Sequence, residues 1–203
     1  MVWSNPDRRI ILASQSPRRR DILKGLGFGF DVVAPSVENE ASFFPGRTVD
    51  KALAELAAAK ANSVSSSHPD ALVLGADTIV SVDGVVIGKP KDPADAAAML
   101  GRLSGRKHQV LTSVALACEE CSFSAGAVEV TTVFFRSLAQ WEIDEYLGLD
   151  EYSDKAGAYA IQGKAMAFVD GIEGCYYNVV GLPVRKTIDL FTAYANRKAS
   201  SND

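Results

Sequence analysis

With 203 residues, 47% of them hydrophobic and 23% charged, the chain has an ordinary globular composition and is long enough to bury one core. Its formal charge of −4 excludes a general electrostatic affinity for nucleic-acid backbones or anionic lipid, so any anion must be held by a local cluster of cations. No apolar run approaches the ~20 residues that span a bilayer and the first seven residues hold no signal-peptide core, so one domain over 1–203, cytoplasmic and with no membrane or nucleic-acid partner, is expected.

In chain order, Ile10-Ile11-Leu12-Ala13 is a short apolar run suited to a buried strand. Ser16 then supplies a cap and Pro17 a first helical residue, and the spacing predicts a helix to about Gly27. Residues 30–34 read as a second strand, and 35–46 as a polar, irregular loop carrying Glu38, Glu40 and two phenylalanines. Residues 48–64 are alanine-rich with helical spacing, ended by Ser65-Ser66-Ser67-His68-Pro69. A strongly apolar strand is expected at 71–82, with Asp83-Gly84 as a hairpin turn. Asp92-Pro93 opens another helix, through Leu100 to Ser104.

β-rich segments follow near 107–118 and 127–136, separated by a loop that carries Cys118-Glu119-Glu120-Cys121. The spacing of those cysteines suits a metal or redox pair, but no second pair accompanies them, so a loop holding two reduced thiols is expected. A short helix at 141–147, a polar segment at 150–163, a strand at 166–169 and an amphipathic helix at 184–195 complete the pattern, with 197–203 as a tail expected to fray. Helices alternate with strands in the first half and β-pairs dominate the second, which predicts an α/β fold with a mixed, twisted β-sheet flanked by helices.

Three features carry candidate chemistry. Arg18, Arg19 and Arg20 stand in the first turn of a helix, where each cation opposes the helix dipole by roughly 0.3–1 kcal/mol. A bound phosphate reverses that sign, and Ser14, Ser16 and the free N–H groups of the turn add donors; a capped helix with solvated arginines is the competing reading. No P-loop or dinucleotide-binding glycine pattern occurs. Helical spacing places Arg18 and Arg19 on the apolar side and Arg20 beside Lys24.

Asp77 interrupts Leu72-Val73-Leu74-Gly75-Ala76-Asp77-Thr78-Ile79-Val80. An ionised carboxylate in so apolar a strand costs several kcal/mol unless it finds a cation, a metal or a cleft, or accepts from loop amides at a strand end. Lys89, fixed in Gly88-Lys89-Pro90, and Lys60, within an alanine-rich helix, suit phosphate contact. Glu38 and Glu40 could complete a magnesium site with Asp77. Neither histidine lies near a nucleophile elbow, so a Ser-His-Asp arrangement is absent. The inventory of cations, a buried aspartate and loop carboxylates fits metal-assisted phosphoryl chemistry on a nucleotide-sized substrate.

Six stretches in order resemble the Maf family of nucleoside triphosphate pyrophosphatases: Ser14-Gln15-Ser16-Pro17-Arg18-Arg19, Gly75-Ala76-Asp77-Thr78, Gly88-Lys89-Pro90, Leu103-Ser104-Gly105 with His108, the run from Asp154 to Gly163, and Asn178-Val179-Val180-Gly181-Leu182-Pro183. The resemblance implies hydrolysis of a nucleoside triphosphate between its α and β phosphates with a divalent metal cation, magnesium or manganese. It also implies a Maf/ITPase-like fold of two lobes with a central cleft, and a homodimer. By carry-over, Asp77 is the proton acceptor that activates water, and Arg18, Thr78 and Gln162 govern substrate choice. Arg18, Thr78 and Ala156-Gly157-Ala158-Tyr159-Ala160-Ile161-Gln162-Gly163 are similar to the branch acting on dTTP and UTP, and the Gln162 amide suits the O4 and N3–H edge of a pyrimidine. Asn39 stands where the family has a second acidic residue, which leaves both Glu38 and Glu40 as metal candidates.

The expected activity is therefore hydrolysis of dTTP and UTP, with modified pyrimidine triphosphates as further candidates, in pool clearing or division control. In the mechanism this implies, Ser14, Arg18, Arg19, Lys60 and Lys89 hold the phosphates. The alternative is a nucleotide-binding regulator of cell division with negligible turnover. A single-strand nucleic-acid binder is disfavoured by the negative charge and by only 8% aromatic residues.

Overall fold

The computed structural model describes residues 6–201, the side chains as far as Lys198. The signal-peptide reading of the first seven residues rests largely on residues outside that range, and so do the last two residues of the expected tail. The elements in order are β1 (Ile10–Ala13), α1 (Pro17–Gly25), β2 (Asp31–Val32), α2 (Val49–Ser65), β3 (Leu72–Val82), β4 (Val85–Ile87), α3 (Pro93–Leu103), β5 (Lys107–Cys118), β6 (Phe123–Phe135), α4 (Gln140–Leu147), β7 (Val169–Glu173), α5 (Tyr176–Val180) and α6 (Val184–Ser201). Single 3-10 turns occur at Glu40–Phe43, Ala156–Ala158 and Lys164–Phe168.

The sheet runs β2-β1-β3-β5-β6-β7, with β4 paired to β3. β1 is parallel to both β2 and β3, whereas β3–β4 and β6–β7 are antiparallel, so the sheet is mixed, as the alternation of elements predicts. The chain divides into two compact units. One comprises the residues up to Asp77, Thr112–Glu129 and the residues from Gly181 on; the other comprises Thr78–Leu111 and Val130–Val180.

In the first unit, period-2 alternation along the strands splits the core between the faces of the sheet. Ile10, Leu12, Leu72, Leu74, Val114 and Leu116 pack with Leu23 of α1 and with Leu190, Phe191 and Tyr194 of α6. Ile11, Ala13, Val73, Ala115 and Ala117 pack instead with Ala57, Ala61 and Val64 of α2. The small side chains of α2 let its backbone come unusually near β3. A Cβ on Gly75 would lie 2.5 Å from the Ala57 carbonyl oxygen and 2.7 Å from the Ala61 nitrogen, distances no real Cβ tolerates. Glycine is needed there for space rather than for its dihedral freedom.

The second unit opens on the β3–β4 hairpin, where Val82 faces Val85 and both turn residues have positive φ (Asp83 50°, Gly84 76°), the conformation that favours Asp-Gly in two-residue hairpins. α3 is capped by Asp92, whose Oδ1 accepts from the Asp95 N–H at 2.8 Å. The interior is aromatic: Phe135 meets His108, Tyr159 and Phe168 edge-on, with ring centroids 4.9 to 6.0 Å apart. At its periphery Arg136 grips Glu142 with two nitrogens, at 2.6 and 3.0 Å, and the Ala139 N–H adds a third hydrogen bond. These donors hold the Glu142 carboxyl down to about 2.

Five expectations need correction. The strand expected at 166–169 is a 3-10 turn over Lys164–Phe168, and the strand starts where that prediction ends, at Val169. Burial explains it: Ala165 and Phe168 are buried while Met166 and Ala167 are exposed, a three-residue period rather than a two-residue one. β2 shrinks to two exposed residues, as befits a sheet edge. β6 begins at Phe123, through a serine- and glycine-containing stretch that carries little strand propensity. Cys118 and Cys121 are joined by a disulfide rather than reduced, because the four-residue turn 119–122 between β5 and β6 brings their Cα atoms to 5.3 Å. The last helix, expected over 184–195, runs over Val184–Ser201.

Two predictions follow from packing. Gly75→Ala forces α2 away from β3 and destabilises the protein by about 1–3 kcal/mol, measured by urea unfolding. The second concerns His108, which is 2% exposed, has Nε2 2.8 Å from the Tyr159 hydroxyl and, among the described residues, has no hydrogen-bond partner for Nδ1. Burial pushes its imidazolium down to about 4 from 6.5. The unfolded chain therefore binds the proton more readily. The neutral histidine's contribution is fully present above about 6.5 and is lost as pH falls towards 4, on the order of 2–3 kcal/mol in all. Urea midpoints of wild type and His108→Gln at pH 7 and 4.5 should show the wild type losing more on acidification than the variant.

Candidate active site

Asp77 ends the portion of β3 that belongs to the first unit, after five consecutive buried residues. Its side chain retains 15% exposure, and the competing reading of a strand-end aspartate satisfied by loop amides gives way to a cation: Lys60 Nζ lies 2.7 Å from Asp77 Oδ1. Lys60 is 9% exposed at its side chain and also reaches Glu40 Oε1 at 2.8 Å. One ammonium thus bridges two carboxylates. Lys60 stands one residue before Ala61, at the helix face that meets Gly75, so the close approach of α2 to β3 is what delivers it to Asp77.

Glu40 opens the 3-10 turn Glu40–Phe43, and the residue before it, Asn39, has φ 48°. Asparagine tolerates that left-handed backbone better than most residues, which gives a local reason for its presence between the two glutamates. Glu38 is exposed, and the ion pairs of Lys60 go to Asp77 and Glu40.

The arginines separate as helical spacing predicts: Arg20 is exposed, while Arg18 and Arg19 are half-buried. Arg19 is tied down, donating from Nη1 to Ser14 Oγ at 3.1 Å and from Nε to the Gly181 carbonyl at 2.8 Å. Ser14 is 5% exposed and also accepts from the Ser16 N–H at 3.2 Å, so the strand-to-helix turn is closed on itself. Ser16 caps α1 through the Arg19 N–H at 3.5 Å. Burial lowers the pKa of the Arg19 guanidinium, the negative charge of Asp77 raises it, Arg18 lowers it and Glu40 raises it. Arg18 is likewise lowered by burial. Asp77, Glu40, Arg18 and Arg19 therefore lie within one electrostatic neighbourhood.

Three further candidates belong to the second unit. Thr78 follows Asp77 directly on β3 and is half-buried. Lys89 is exposed on the turn after β4, and that turn is anchored by the Gly157 N–H donating to the Gly88 carbonyl at 3.0 Å. Gln162 is exposed beside the turn closed by the Gly163 N–H and the Ala160 carbonyl. The Gly181 carbonyl, which fixes Arg19, carried no role in the sequence reading because a backbone acceptor leaves no side-chain signal.

The donor set at Lys60 bears on a divalent cation. Glu40 and Asp77 present oxygen ligands to one point, now filled by an ammonium, and magnesium takes one or two carboxylates together with substrate phosphates. Among the described residues, no group of three or more His, Cys, Asp or Glu side chains forms a metal cage. The residues present fit a site completed by a substrate's phosphates. Among the described residues, no helix is long and apolar enough to cross a membrane.

A family model described as Maf-like protein matches residues 9–194. The chain is 48% identical to a protein of Symbiobacterium thermophilum named dTTP/UTP pyrophosphatase, over 92% of this chain and 94% of that one. Proteins of the same name from Pelotomaculum thermopropionicum and Bacillus pumilus are each 45% identical, over 92% of this chain and 97% and 96% of theirs.

The Arg19 geometry yields a prediction. A lysine cannot reach both Ser14 Oγ and the Gly181 carbonyl, so Arg19→Lys should cost about 1–2 kcal/mol of stability in urea unfolding, despite the retained charge.

Proposed function

We propose an activity that starts from the family: this chain belongs to the Maf-like proteins. It hydrolyses dTTP and UTP, the nucleotides in the relatives' name dTTP/UTP pyrophosphatase, and the products in this reading are the monophosphate and pyrophosphate. The observation that carries the reading is the convergence of Asp77, Glu40, Lys60 and the two half-buried arginines, a set that can hold a polyphosphate and take up a proton beside it.

In this reading Arg18, Arg19, Lys60 and Lys89 neutralise the triphosphate, with the Ser14 turn fixing Arg19. Asp77 accepts the proton of the water that attacks the α phosphorus, the bond from that phosphorus to the β-bridging oxygen breaks, and pyrophosphate leaves. Glu40 and Asp77 hold a divalent cation such as magnesium or manganese, which when bound withdraws charge from the phosphoryl oxygens. Lys60 holds both carboxylates aimed at one point before substrate arrives. Glu38 remains the second candidate for the metal. Thr78 and Gln162 select the base, the Gln162 amide donating to a pyrimidine O4 and accepting from N3–H. A cytoplasmic homodimer belongs to the same reading, supported by the family resemblance.

Pyrophosphate release from dTTP, UTP, CTP, GTP and 7-methyl-GTP, with magnesium or EDTA, tests it. Fast magnesium-dependent release confined to dTTP and UTP is expected, and Asp77→Asn should lower kcat by about 10²-fold or more while nucleotide binding persists. Binding without turnover in the wild type would sink the enzyme reading in favour of a regulatory module.

A further inference from the structure

The cysteine pair lies outside the proposed chemistry, and its surroundings are those of an exchangeable bond. Cys118 ends β5 and is 1% exposed, whereas Cys121, across the turn, is half-exposed. The Cys121 N–H points at Cys118 Sγ from 3.3 Å. An N–H so placed stabilises a thiolate on Cys118, which makes Cys118 the better leaving group and Cys121 the accessible point of attack. Each sulfur also has a partner for its reduced form: the Pro69 carbonyl lies 3.9 Å from Cys118 Sγ and the Tyr194 hydroxyl 3.8 Å from Cys121 Sγ.

The turn between the cysteines holds a second element of the first unit. The Glu119 N–H donates to Ser65 Oγ at 3.0 Å, at the last residue of α2, and the Glu120 N–H donates to the Pro69 carbonyl at 3.0 Å. Arg8 pairs with Glu120 Oε2 and donates to the Asp70 carbonyl, both at 2.9 Å. Closing the disulfide fixes the backbone that makes these bonds.

We propose that Cys118–Cys121 is a reversible thiol–disulfide exchange site, opened by a dithiol reductant through attack at Cys121, and that opening it loosens the C-terminal turn of α2. A reductant thiolate bonds to Cys121 Sγ, the Cys118–Cys121 bond breaks, and its electron pair stays on Cys118. The reductant's second thiol then attacks its own sulfur in the mixed disulfide, releasing Cys121. The reductant leaves as a disulfide, and the protein has gained two electrons and two protons. In the reducing cytoplasm proposed above, such a bridge serves as a transient, redox-responsive bond rather than a permanent staple.

The test uses the full chain, which has three cysteines including the free Cys175. Native protein equilibrated with glutathione disulfide should take one N-ethylmaleimide, and three after dithiothreitol without denaturant. In a Cys175→Ser background, Cys118→Ser should react with an aromatic disulfide roughly tenfold faster than Cys121→Ser. Dithiothreitol should raise amide exchange at 62–71 in the wild type and leave Cys118→Ser/Cys121→Ser unchanged. Three adducts without reductant, a bridge that opens only in denaturant, faster reaction at Cys118, or unchanged exchange at 62–71 would each overturn the proposal.

Discussion

The rest of the site depends on one buried ion pair, Lys60 with Asp77, and on the close packing that makes it possible. An ammonium whose side chain is 9% exposed loses most of its hydration, a cost of several kcal/mol that only opposite charge in contact can offset. Two carboxylates surround it, so the pair is more than compensated and the local balance leans negative until Arg18 and Arg19 are counted. The distance is set by backbone, not by side-chain reach: α2 lies against β3 where Gly75 has no Cβ and where Ala57 and Ala61 face it. The alanine-rich composition of α2 is thus a requirement of the site as well as of helix propensity.

The arginines show the same economy of geometry. Cations at a helix N-terminus oppose its dipole, and the fold accepts that at Arg19 by giving the guanidinium a carbonyl, a serine oxygen and the field of Asp77 and Glu40. Gly181 enters from just before α6, so distant segments of the first unit meet at this guanidinium. An anion arriving here finds charges already positioned, and it also relieves the repulsion between Arg18 and Arg19.

Much of this was legible in the sequence, for physical reasons. β1, α1, α2, β3 and the Asp-Gly hairpin announce themselves because period, cap and turn residues agree at each. Asp77 was legible because a carboxylate in an apolar strand must be answered. What answers it was not, since Lys60 lies a helix-to-strand connection away and nothing local distinguishes it from a solvated lysine. The choice between Glu38 and Glu40 at Lys60 was likewise hidden, because it depends on the fold of a turn around Asn39. The 3-10 turn at Lys164–Phe168 was misread because four apolar residues in a row carry no period of their own. The disulfide escaped because two cysteines on a hairpin turn give the same sequence signal whether bridged or reduced.

A double-mutant cycle on Lys60→Met and Asp77→Asn, read by urea unfolding, tests the central claim. Each single change should be more destabilising than the pair together, with a coupling of about 1–3 kcal/mol, because each leaves its former partner buried and less compensated. Additive effects would mean that the two side chains do not share one site, and the account built on their contact would fail.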